Sequence, residues 1–124
     1  GKLDLVVLGA FEVGMNGDLA NWSIPGKRTP GWGGGMEVAQ KARHVLVLSH
    51  HLDKSGKPKL AKTCKLPLTA PACVDTLITE RAVFRRKGGI MTLVEVRAPY
   101  SAEDICRDLG FDVPVALEKK AVAA

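Results

Sequence analysis

Aromatic side chains are scarce here: two tryptophans, one tyrosine and three phenylalanines in 124 residues. Scattered along the chain, they build no stacking platform for bases, and no recognition helix stands beside them, so nucleic acid is not the expected partner. Long hydrophobic runs are missing too. None approaches the ~20 residues that a membrane helix needs, and none has a signal-peptide layout, so no membrane association is expected. Cysteine is limited to Cys64, Cys73 and Cys106. An odd number cannot all pair internally, and these spacings match no zinc pattern, so reduced thiols in a cytosol-like compartment and no metal are expected. Internal repeats and low-complexity segments are also missing. The chain begins at Gly1 without a methionine and runs almost at once into the apolar "LDLVVL". The expectation is a piece of a longer polypeptide.

What is present fits one ordinary globular unit: 46% apolar and 25% charged residues, at a length that can bury a core without staples. The formal charge of +5 is uneven. From Lys27 to Lys65 basic residues heavily outnumber Glu37 and Asp53, and "KSGKPKLAKTCK" contains no acid. Such a run is either a solvated loop or an attractor for an anionic partner, a phosphorylated cofactor more than nucleic acid.

The hydrophobic pattern predicts an α/β fold. "LDLVVLGA" and "HVLVLS" read as strands buried on both faces, with a loop and a short helix, "MEVAQKAR", between them. That order belongs to a mostly parallel sheet with crossovers. "EVGMNGDLANW" holds a hairpin signal at Asn16-Gly17, and "AVFRRKGGIMTLVEV" a second at Gly88-Gly89. "KLPLTA" reads as a brief edge piece, and "PACVDTLITE" as a helix with Val74, Leu77 and Ile78 on one side. "SAEDICRDLG" carries a full set of helix signals: Ser101 as N-cap, Asp104 three residues on, Ile105 and Leu109 inward, Gly110 as the stop. "FDVPVAL" is a last extended piece before a tail expected to fray.

The stretch "TPGWGGGMEVAQKAR" concentrates four glycines in five positions before the predicted helix. It has neither the G-x-G-x-x-G spacing of a dinucleotide site nor the lysine-serine end of a P-loop. Consecutive glycines nevertheless let the backbone approach a ligand closely. Their N–H groups, beside a helix N-terminus, suit an anion cradle or an oxyanion hole. A plain flexible connector is the competing reading. His50 and His51 follow a predicted strand, where neighbouring residues point to opposite faces and cannot chelate one metal together. Structural roles are expected for both, surface positions near a helix for Asp75 and Glu80, and a helix-dipole role for Glu37. The residue chemistry by itself ends at an α/β unit with a backbone anion site.

Five blocks in order, "LDLVVLGAFEV", "NGDLANWSIPGK", "GWGGGMEVA", "KLPLTAPACVD" and "ITERAVFR", resemble the B subunit of 3-oxoacid CoA-transferases, the glutamate-dependent class I enzymes. The similarity runs over nearly the whole chain and weakens after about Tyr100. It implies an open, mostly parallel sheet layered with helices, in the fold shared with sugar-phosphate isomerases, and incomplete on its N-terminal side. Residues 1–124 would form the C-terminal part of a B-type domain, with a loose tail from about 117. The active site would lie against the enzyme's A half, a separate or fused partner, in a hetero-oligomer. A cytoplasmic location is implied, or the mitochondrial matrix in a eukaryote. No permanently bound cofactor is implied; coenzyme A is a co-substrate.

In these enzymes a glutamate attacks the acyl-CoA thioester, an acyl-glutamyl anhydride forms, and CoA thiolate returns to give a glutamyl-CoA thioester. The family carries that glutamate in a Ser-Glu-Asn-Gly motif, which this sequence does not contain. The chain alone is therefore expected to be inactive. The family's G-M-G-G-A-M-D loop corresponds to Gly31-Trp32-Gly33-Gly34-Gly35-Met36-Glu37. The resemblance implies that backbone at Gly34 and Gly35 supports the thioester oxyanion, and that Gly31, Gly33, Gly34, Gly35 and Lys27 contact the CoA thioester. Trp32, Gly35 and Glu37 depart from the family loop, and His50 stands where the family tends to have glutamate. Two alternatives belong to other classes: a non-catalytic phospholigand-binding or assembly module, and a sugar-phosphate isomerase relative.

Overall fold

The computed structural model describes residues 4–10, 12–20, 43–64 and 71–118. Within them the chain forms eight strands, β1 (Leu5–Leu8), β2 (Glu12–Gly14), β3 (Leu19–Ala20), β4 (His44–Leu48), β5 (Leu60–Ala61), β6 (Thr76–Ile78), β7 (Ala82–Lys87) and β8 (Ile90–Val96), and one helix, α1 (Ala102–Leu109). Five strands form the main sheet in the order β1-β4-β6-β7-β8, and three form a smaller sheet, β3-β2-β5. The expected crossover helix and the "KLPLTA" piece fall outside the described residues.

The sheet is mixed, which corrects the expected mostly parallel one. β1 with β4 and β4 with β6 are parallel, whereas β6 with β7 and β7 with β8 are antiparallel. Parallel neighbours need a crossover of a dozen or more residues. Only three residues separate Ile78 from Ala82, and two separate Lys87 from Ile90, so the chain must reverse at both places. At the second, Gly88 and Gly89 take φ of 59° and 82°, the two positive values that a tight hairpin turn requires. The Gly88-Gly89 hairpin is as expected.

The segment 71–80 also departs from its reading: Thr76–Ile78 is a strand, not a helix. Spacing allowed Val74, Leu77 and Ile78 to share a helical face. The same stretch is rich in β-branched residues, and the open edges of β4 and β7 satisfy its backbone on both sides. Asp75 and Glu80 accordingly flank a strand instead of lying near a helix. Asp75 anchors the strand's start. Its Oδ2 accepts from Val45 N at 2.7 Å, and its Oδ1 accepts from Arg86 Nη2 at 3.1 Å.

Helix α1 follows its local signals closely. Ser101 Oγ accepts from Asp104 N, Asp104 Oδ2 accepts from Ser101 N, and Gly110 ends the helix at φ 79°. Its inward residues, Ile105 and Leu109, join Phe84, Leu77, Met91 and Leu93 in one buried core. Val13, Leu19 and Leu60 of the small sheet complete that core. Full burial of each such side chain stabilises by about 1.5–3 kcal/mol. On the far side, among the described residues, the strands expected to be buried on both faces are covered on one. Leu5, Val7 and Leu48 stay 53%, 50% and 52% exposed, while Val45 and Val47 are buried.

The expected Asn16-Gly17 hairpin is present, pairing Val13 with Leu19, and it locks the two sheets together. Gly17 O accepts from both Cys73 N and Val74 N at 2.9 Å, and Met15 O accepts from Met91 N at 2.7 Å. Asp18 Oδ1 accepts from Ala72 N at 2.8 Å. Gly17 itself sits at φ +89°, and a Cβ there would lie 2.9 Å from Arg86 Nη1 and 3.0 Å from Val74 O. Close approach explains this glycine. "FDVPVAL" runs along β8, with Pro114 O and Ala116 N bonded to Leu93. Glu118, expected in the loose tail, donates its N–H to Val94 O and pairs with Arg85 and Lys87. Residues 119–124 lie outside the described residues.

Candidate functional site

The residues expected to hold the thioester, Lys27, Gly31, Gly33, Gly34 and Gly35, lie outside the described residues, as do Trp32, Met36 and Glu37. In sequence they fall between β3 and β4, which among the described residues are the last strand before them and the first after.

The two histidines part company. His50 is exposed and lines a shallow cleft of about 450 Å³ with Leu48, Ser49, Ile78, Thr79 and Glu80. The cleft lies at the carboxyl ends of the parallel strands β4 and β6, the end at which open α/β sheets bind ligands. His51 is buried, only 2% exposed. Glu80 Oε1 accepts from its backbone N at 2.8 Å, and its carbonyl accepts from Lys59 N. The ring faces Asp108, with Nε2 3.3 Å from Oδ2, and Thr79 Oγ1 at 3.5 Å from Nδ1. Asp108 also holds Arg81, at 2.9 Å, and Arg81 stacks on the Tyr100 ring. Burial pushes the His51 pKa below its ordinary value, and Arg81 adds to the drop while Asp108 and Glu80 oppose it. The ring is a neutral pin between the β4 exit, the β6–β7 turn and α1. It fits the expected structural role.

Reactive chemistry is otherwise sparse. Cys64, Cys73 and Cys106 are free thiols. Burial pushes the pKa of Cys64 up to about 12 and that of Cys73 up to about 11, which keeps both as unreactive thiols. Among the described residues, no three His, Cys, Asp or Glu side chains converge as metal ligands, and no helix is long and apolar enough to cross a membrane.

A larger concavity, about 660 Å³, lies between β5 and the end of α1. Its floor is Leu60, Leu109 and Phe111; Lys57, Lys62 and Thr63 stand at the rim with Glu12 and Asp53. Six of these ten lining residues come from the basic run. In that run an ordered turn precedes β5, and Lys54, Lys57 and Lys62 stay exposed. Asp53 Oδ1 accepts from Ser55 N, Ser55 Oγ and Lys57 N, and Gly56 turns the chain at φ +88°. Sequence reading found the charge but not the groove, because Phe111 and Leu109 reach it from about fifty residues away.

With this geometry in place, the comparisons with known proteins converge. The sequence matches the Coenzyme A transferase family over residues 1–107. It is 45% identical over 118 residues to the beta subunit of a probable coenzyme A transferase of Bacillus subtilis, covering 92% of this chain and 54% of that one. To the B subunit of the succinyl-CoA:3-ketoacid coenzyme A transferase of Helicobacter pylori it is 44% identical over 105 residues, covering 85% and 51%. In fold it is similar to the acyl-CoA transferase of Escherichia coli O157:H7, with a TM-score of 0.77 at 22% identity, covering 92% of this chain and 26% of that one. The chain belongs to the coenzyme A transferase family. It spans about half the length of the bacterial subunits it matches.

Proposed function

We propose that this chain is part of a CoA-transferase that moves CoA between an acyl-CoA, such as succinyl-CoA or acetyl-CoA, and a 3-oxoacid or short-chain carboxylic acid. The observation that carries the reading is the family match over residues 1–107, with 44–45% identity to subunits of such enzymes. The active unit pairs this B-type chain with its A-type counterpart, separate or fused, and CoA passes through as co-substrate, with no permanently bound cofactor. A glutamate outside these 124 residues attacks the thioester carbonyl and displaces CoA thiolate. The thiolate then attacks the glutamyl carbonyl of the anhydride, releasing the donor acid and leaving glutamyl-CoA, from which the acceptor acid takes the CoA. The 124 residues without that glutamate are inactive.

The contribution of this chain is the glycine loop. Main-chain N–H groups at Gly34 and Gly35 donate to the oxyanion that forms at each carbonyl attack, while Gly31, Gly33 and Lys27 seat the thioester. Losing one such donor typically costs about 3 kcal/mol of transition-state stabilisation. In the complete enzyme, Gly34→Val therefore lowers kcat about a hundredfold and leaves KM for the acceptor acid nearly unchanged. Steady-state kinetics with both substrates varied reads this directly. Unchanged kcat refutes the oxyanion role.

A further inference from the structure

The cleft at the carboxyl ends of β4 and β6 carries four polar side chains, and three of them are already engaged. Ser49 Oγ donates to the His50 carbonyl at 3.0 Å. Thr79 Oγ1 accepts from Arg81 N and Ala82 N, both at 3.1 Å. Glu80 Oε1 accepts from His51 N at 2.8 Å, and its Oε2 lies 3.7 Å from Arg81 Nε. The fourth is the exposed His50 ring, which among the described residues has no hydrogen bond or ion pair. The backbone that presents it is clamped on both sides. Ser49 N donates to Ile78 O at 3.1 Å, Lys59 N donates to His51 O at 2.9 Å, and the His51 ring is buried. A group carried on backbone already fixed loses little freedom when a ligand meets it.

We propose that His50 is a specificity-determining residue whose ring N–H donates to the 3-oxo oxygen of the acid substrate; this rests on the CoA-transferase reading above. An imidazole keeps an N–H donor in either protonation state. The surroundings decide what kind of oxygen it meets. Glu80 and Asp108 share one guanidinium, that of Arg81, at 3.7 and 2.9 Å. Two carboxylates on one cation leave this end of the sheet without positive charge to spare, so a further carboxylate meets repulsion that a neutral carbonyl does not. Leu48, half-exposed, and Ile78 supply an apolar wall beside the ring. A short chain with a ketone fits that pairing of one donor with an apolar wall. Held by its oxo group, the acid leaves its carboxyl end outside the cleft, free to react.

The test compares 3-oxobutanoate with butanoate, acids that differ only in the oxo group, as acceptors for the complete enzyme. In His50→Leu the ratio of their kcat/KM values is expected to fall at least tenfold, through a raised KM for 3-oxobutanoate. An amide keeps an N–H donor, so His50→Gln or His50→Asn should restore most of the ratio. A structural role for the ring would not show that rescue. An unchanged ratio in His50→Leu overturns the proposal, as does a loss that neither amide variant restores. Butanedioate, with a carboxylate in place of the oxo group, is the charged control. A larger loss for butanedioate than for 3-oxobutanoate would make His50 an anion site and overturn the proposal too. Saturation-transfer NMR with each acid reads binding without turnover, so the two readings fail separately. CoA transfer with an unchanged ratio removes His50 and leaves the glycine-loop chemistry standing. Binding of 3-oxobutanoate that His50→Leu abolishes, with no CoA transfer to any acid, does the reverse.

Discussion

The two flanks of the main sheet are built on different terms. At the β7–β8 flank, neighbours in sequence are neighbours in space: a two-glycine hairpin leads into a capped helix, and Phe84, Met91, Leu93 and Ile105 are wholly buried. At the β1–β4 flank the strands pair across 35 residues of intervening chain, and Leu5, Val7 and Leu48 remain about half exposed. Both flanks are apolar in sequence. One has its cover encoded next to it, whereas among the described residues the outer face of the other stays about half exposed. A parallel strand pair in an α/β protein ordinarily has both faces covered, and the described residues cover this pair on one face.

The largest break in that comparison comes from emptying the self-contained flank. Phe84→Ala should destabilise by about 3–5 kcal/mol through its cavity, whereas Leu5→Ala should cost under about 1 kcal/mol because much of that side chain is already in water. Urea unfolding of both variants measures the contrast, and equal losses would show that the β1 face is covered after all. Next in size is the joint between the sheets. Gly17→Ala forces a Cβ against Arg86 Nη1 and Val74 O at positive φ and should cost about 1–3 kcal/mol. Gly88→Ala, also at positive φ but with open space around it, should cost only about 1 kcal/mol. A reversal of that order in thermal melts would remove the docking role assigned to the Asn16-Gly17-Asp18 turn.

The smallest effect is the pH dependence of the His51 pin. Burial sets its folded pKa below the unfolded one, so the unfolded chain takes up the proton more readily. Its contribution to stability is therefore full above the unfolded pKa of about 6.5 and falls away as pH drops below it. His51→Asn should flatten that part of the stability–pH profile. An unaltered slope in the variant would assign the dependence to other groups.

The same contrast explains what could be read in the sequence. The Gly88-Gly89 hairpin and the Ser101–Gly110 helix were legible because their signals act within ten residues: turn glycines, a reciprocal cap, a left-handed stop. The strand Thr76–Ile78 was misread as a helix because its identity comes from β4, about thirty residues earlier, and from β7. His51 could be placed after a strand, but its partners Glu80 and Asp108 are 29 and 57 residues away. The basic run announced its charge, yet its groove needs Phe111. The glycine loop lies outside the described residues; its composition suggests a backbone anion site, and only the family resemblance makes it a thioester site.

The central claim is that this chain lends its glycine loop to a glutamyl-CoA intermediate formed on the complete enzyme. Intact-mass spectrometry after incubation with acyl-CoA and no acceptor tests it most directly. The complete enzyme should gain the mass of CoA less one water, lose it again on addition of acceptor acid, and gain far less in Gly34→Val, while the 124 residues alone gain nothing. A complete enzyme that turns over without that mass increase, or an adduct on the isolated chain, would contradict the account.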